Sequence, residues 1–139
     1  MTDPLSLDTA KRLIAAAERR AEAIDNPMVI AITNDEGNLI AQHRMDGAWL
    51  ASVDISRNKA YTAAALETPT HELADPATPG ESLYGVQHTN QGRIVIFGGG
   101  YPLSRDGDLV GAIGVSGGAV EQDMDVAEAG LDEFEERTA

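Results

Sequence analysis

A chain of 139 residues with no cysteine and a formal net charge of −13 is long enough to bury one hydrophobic core without staples, and it can hold neither disulfides nor thiolate metal sites. Only Lys11 and Lys59 are lysines, so most of the positive charge is arginine. A field this negative repels nucleic acid and anionic membranes, because contacts to phosphate need clustered cations.

The first residues, Met1-Thr2-Asp3-Pro4, lack the basic and apolar blocks of a secretory leader, and no apolar run is long enough to span a bilayer. The expectation is a cytoplasmic protein. From about Leu7 to Ile24 the apolar residues Ala10, Leu13, Ile14, Ala17, Ala21 and Ile24 recur at helical spacing. Ser6 is placed to cap that helix, Asp8 suits the positive end of its dipole, and Asn26-Pro27 ends it. A hairpin follows, with strands over residues 28–33 and 39–45 and the turn cluster Asn34-Asp35-Glu36-Gly37-Asn38 between them. Both strands begin as nearly continuous apolar runs, which predicts cover on both faces.

After the break at Asp46-Gly47-Ala48, a second helix is predicted from about Ala51 to Leu66, with small contacts at Ala60, Ala63 and Ala64. Residues 67–91 are rich in Pro, Thr, Gly and His, and short helical turns are expected near 70–74 and 81–86. Two or three strands then read, at 93–97, 101–104 and 109–115, the last two joined by the turn Arg105-Asp106-Gly107-Asp108. Ser116-Gly117-Gly118 leads into a final helix over about 120–135. Its acidic end, Asp132, Glu133, Glu135 and Glu136 around Phe134, reads either as a solvated surface or as adaptation to high salt, where screening relieves self-repulsion. Hairpins with helices at the ends imply an α+β fold on an antiparallel sheet. With no repeat or linker visible, residues 1–139 read as one domain.

Three stretches together resemble the GlcG/HbpS-like family, also called the haem-degrading domain family. They are Arg44-Met45-Asp46-Gly47-Ala48, Lys59-Ala60-Tyr61-Thr62-Ala63-Ala64, and a long run from Gly98-Gly99-Gly100-Tyr101-Pro102-Leu103 through Gly111 to Gly118, then Gln122-Asp123 and Ala127 to Leu131. The resemblance implies a profilin-like layout, a five-stranded antiparallel sheet flanked by helices, in homo-oligomers. Relatives of this kind include haem-binding extracellular sensors, proteins linked to glycolate utilisation and a domain of some corrinoid adenosyltransferases. A shared fold does not settle function.

Within these motifs, Ser116-Gly117-Gly118 is a glycine turn entering a helix, where free N–H groups and the helix dipole favour a carboxylate, phosphate or haem propionate; the same glycines also serve a tight turn. Gly99 and Gly100 read either as bare backbone lining a pocket or as a bend between strands. Arg44 can grip a ligand carboxylate as a bidentate fork or pair with Asp46; Lys59 can act as a point charge or be solvated. Thr62, one turn from Lys59, can share a ligand or bond its own helix. For haem iron the axial candidate is His43, at a position where relatives more often carry an apolar residue; His71, His88, Met45, Met124 and the tyrosines are alternatives. No histidine pair has metal-ligand spacing, so no dedicated metal is expected. Gly114-Val115-Ser116-Gly117-Gly118 fits Gly-x-Ser-x-Gly, but no histidine follows Ser116 to complete a hydrolase triad. The reading that results is a small-molecule-binding protein, with haem as the candidate cofactor and a pocket or subunit groove as the site. The alternative is an enzyme of haem breakdown or of small hydroxy-acid or corrinoid metabolism, for which the sequence names no convincing general base.

Overall fold

The first helix, α1 (Leu7–Ala23), starts where the Ser6 hydroxyl accepts a hydrogen bond from the Thr9 N–H at 3.1 Å. The structure, a computed structural model, describes residues 4–138; Met1–Asp3, read above for a leader, and Ala139 lie outside the described residues. Strand β1 (Val29–Asn34) then pairs antiparallel with β2 (Leu39–Arg44), Val29 opposite Arg44. The Asn34 carboxamide oxygen accepts the N–H groups of Glu36 and Asn38, each at 2.9 Å, and so shapes the turn. β1 is buried from Val29 to Thr33, but β2 is half exposed, against the expectation for both strands. Position explains the difference: the sheet order is β2-β1-β4-β3, which puts β1 in the interior and β2 on an edge.

β3 (Gly100–Arg105) and β4 (Asp108–Ser116) form the second hairpin, and β4 pairs with β1 on its other side. Among the described residues the sheet has four strands, not five. The expected strand at 93–97 does not join the ladder, because its backbone is held by a helix side chain instead. The Thr62 hydroxyl donates to the Arg93 carbonyl and accepts from the Val95 N–H, both at 3.0 Å. That ties the segment to α2 (Ala51–Leu66). Of the expected short turns, the first appears as a 3-10 turn at Thr70–Leu73; the second lies further along, at Val86–His88, followed by Asn90–Gly92.

α2 covers one face of the sheet over β4, β1 and β3, while α1 and α3 (Val120–Thr138) pack together on the other. Leu13, Ile14, Ile30, Ile113, Val126 and Phe134 form the centre of the thicker layer. The α2 layer is thin, built from Ala60, Ala63, Ala64 and Ala112. Its closeness rests on Gly114, where an added Cβ would run into the Ser56 carbonyl oxygen and stand 2.5 Å from the Ala60 nitrogen. Backbone cannot yield as a flexible side chain can, so Gly114→Ala should destabilise the protein by about 1–3 kcal/mol, read from the urea midpoint.

Tyr101 points from β3 into the α3 layer and donates a 2.7 Å hydrogen bond to the Glu128 carboxylate. Burial, and then that bond, push its pKa far above the ordinary value near 10. The folded state therefore keeps the phenol protonated. Unfolded tyrosine ionises from about pH 10, so this stability is complete below that pH and is lost as pH rises toward the folded value. A Tyr101→Phe variant should show a shallower alkaline loss of melting temperature than the parent chain. Among the described residues no helix is long and apolar enough to cross a membrane.

Candidate functional site

The sequence-selected residues fall into two separate places. Lys59, Gly99, Gly100, Ser116, Gly117 and Gly118 gather around the end of β4, whereas His43, Arg44 and Asp46 lie along the edge strand beside α1. Thr62 belongs to neither, its hydroxyl being engaged by residues 93–95.

At the first place, Lys59 is fully buried on α2. Its ammonium donates to the Val115 carbonyl at 2.8 Å and to Asp123 Oδ2 at 2.9 Å, and it stands 5.1 Å from the centre of the Phe97 ring. The other carboxylate oxygen of Asp123 accepts the Gly118 N–H at 2.9 Å, and the Gly117 amide also favours the charged form. The corner expected to receive a ligand anion thus holds the chain's own Asp123. A ligand at Lys59 or at Ser116-Gly117-Gly118 would have to displace that carboxylate from an interior pair.

The glycines explain how the pair is enclosed. At Gly99, in a left-handed conformation at φ +123°, a Cβ would stand 2.6 Å from the Lys59 ammonium and from the Val115 oxygen. Gly100 donates its N–H to the Thr70 hydroxyl at 3.0 Å, and a Cβ there would press on the Lys59 carbonyl at 2.5 Å. Ser116 shares a 3.0 Å hydroxyl–hydroxyl bond with Ser52, so its partner is another serine and not a base. Burial is the largest influence on both ions, lowering Lys59 and raising Asp123 from their ordinary values, while their mutual attraction opposes it. Asp123 was not among the candidates; the signal for it was that a lysine on a helix of alanines is buried and needs a carboxylate.

The second place is an open groove of about 420 Å³ between α1 and β2, lined by Glu18, Glu22, Arg44, Met45 and Asp46. Beyond Met45 and Asp46 a further groove of about 290 Å³ runs past Ala21, Asp25, Asn26 and Pro27. Arg44 does not pair with Asp46; its guanidinium donates twice to the Ala48 carbonyl, at 3.1 and 2.8 Å. That bond fixes the guanidinium beside Ala48 with donors remaining. His43 sits on the α1 side of the edge strand, with Nδ1 3.3 Å from Glu18 Oε2 and about half of its side chain exposed. A carboxylate at Nδ1 holds the ring proton there and leaves Nε2 as the free electron pair. His71 packs against Tyr101, with ring centroids 5.7 Å apart, and His88 ends a surface turn. No cluster of three or more His, Asp or Glu residues able to hold a metal ion occurs among the described residues.

Residues 5–132 match the family model described as haem degrading protein HbpS-like. The chain is 51% identical over 132 residues to an uncharacterized 15.0 kDa protein of the dhaT-dhaS intergenic region of Citrobacter freundii, covering 95% of this chain and 93% of that one. It is 45% identical over 127 residues to the corrinoid adenosyltransferase PduO of Salmonella typhimurium, covering 91% of this chain but only 38% of that protein. A solved PduOC–haem complex superposes with a TM-score of 0.91 at 44% identity, covering 94% of this chain and 95% of that one.

Proposed function

The chain belongs to the HbpS-like family of haem-degrading proteins, and from that premise we propose that it binds haem in the groove between α1 and β2, with His43 as the axial ligand. The observation that carries the proposal is the His43–Glu18 contact, which leaves an imidazole nitrogen on a half-exposed side chain next to Glu18, itself a lining residue of a groove of small-molecule size. Arg44 would receive a propionate through the guanidinium donors that Ala48 leaves free. Met45 supplies apolar surface beside it. When bound, haem supplies the redox chemistry of its iron.

An open groove covers one face of a flat ligand. A second copy of the chain is the proposed cover, since Trp49 and Leu50, next to the Ala48 carbonyl that holds Arg44, are 62% and 73% exposed. The proposal is tested by titrating the protein with hemin. It predicts a saturable, shifted Soret band at fixed stoichiometry, and featureless, unsaturable uptake would refute it. The family description favours one further reading, in which the bound haem is broken down. Hemin with a reductant separates the two: an enzyme returns ring-opened product, and a carrier returns intact haem.

A further inference from the structure

On the face of the hairpin opposite α1, a third groove has a charge that the rest of the molecule does not prepare for. It measures about 330 Å³ and is lined by Gly37, Asn38, Leu39, Arg57, Asn58, Tyr61 and Arg93. Two of these residues are arginines and none is a carboxylate, in a chain of net charge −13. The larger groove beside α1 carries three carboxylates against one arginine, and its extension carries three and none. A locally positive concavity on a strongly negative surface concentrates anions there.

The groove is built as well as charged. The Tyr61 hydroxyl donates to the Asn90 side-chain oxygen at 2.9 Å, which fixes the ring. The turn lies against that ring at Gly37, in a left-handed conformation at φ +78°, where a Cβ would come within 2.7 Å of Tyr61 Cδ1. The Arg93 guanidinium stacks on the ring, its central carbon 3.9 Å from the centroid, and its Nε donates to the Asn90 carbonyl at 3.2 Å. Four of its five N–H donors are then left without a partner among the described residues. Arg57 reaches the groove from α2. Its contact to Asp54 is long, 3.4 Å, and both side chains are exposed, so this pair holds it weakly. Asp54 also accepts the Asn58 amide at 3.0 Å, and neither it nor Asp35 and Glu36 of the turn line the groove.

We infer that this Arg57–Arg93 groove is a second binding site, separate from the haem groove, for a small dicarboxylate, each carboxylate taken by one guanidinium. A planar fork on a fixed aromatic platform matches a planar carboxylate in two parallel bonds, and the volume limits the ligand to a compact molecule. The test is calorimetric titration of the full chain at low ionic strength with succinate, inorganic phosphate and uncharged succinamide. Saturable binding of succinate is expected, at least tenfold weaker in both Arg57→Ala and Arg93→Gln, with none of succinamide. Arg57 is exposed, so Arg57→Ala should keep the parent melting temperature and the parent hemin titration, which separates failure of this site from failure of the haem groove. Binding of phosphate but not succinate, equal succinate affinity in the variants, or no saturable binding would each overturn the inference.

Discussion

Replacing Lys59 by methionine should cost the fold about 3–5 kcal/mol, measured as the loss in free energy of urea unfolding, because it strands a buried carboxylate. Asp123 is 3% exposed and its charge is matched by the Lys59 ammonium and the Gly117 and Gly118 amides. Burial opposes the charge on both partners while their attraction favours it, and a buried pair adds little net stability while both are present; the damage comes from removing one. Asp123→Leu added to Lys59→Met should recover much of the loss, since two apolar residues replace two ions. Recovery should stay incomplete, because the Gly118 N–H then has no acceptor in the turn entering α3. A single Lys59→Met variant within 1 kcal/mol of the parent would contradict this account of the corner.

The other large effect is expected at the haem groove. His43→Ala should abolish the shifted Soret band and weaken hemin binding by about a hundredfold or more, while leaving the far-ultraviolet circular dichroism unchanged, because the side chain is half exposed on an edge strand. Glu18→Gln should lower hemin affinity by about tenfold, since it removes the charge that orients the ring and strengthens Nε2 as a donor. An unchanged Soret maximum in His43→Ala would remove His43 from the reading. The two variants also discriminate ligation from electrostatics, because a purely electrostatic role for Glu18 would raise affinity for the anionic propionates when its charge is lost.

Local rules made much of this fold legible. Ser6 announces α1 through a short-range hydroxyl–amide bond, and α2 runs over Ala51–Leu66 as its helical pattern indicates. What failed was long-range. The run Arg93-Ile94-Val95-Ile96-Phe97 has the composition of a strand, but composition cannot reveal that a threonine 33 residues earlier satisfies the Val95 N–H. Nor does an apolar run in β2 reveal that its strand is an edge. The candidate residues were chosen as chemistry-bearing members of motifs, and the fold divides them between an internal ion pair and an open groove, with Thr62 in neither. Asp123 and Arg93 were missed for one reason: the partner of each, Lys59 or Tyr61, lies dozens of residues away, and only folding sets the pairing.

Where haem sits is read directly from a crystal structure of the chain grown with hemin. Iron bound to His43 Nε2, with the macrocycle between α1 and β2 and a propionate on Arg44, is the predicted result. A macrocycle seated at the buried Lys59–Asp123 corner, in the Arg57–Arg93 groove, or on a different histidine would contradict it.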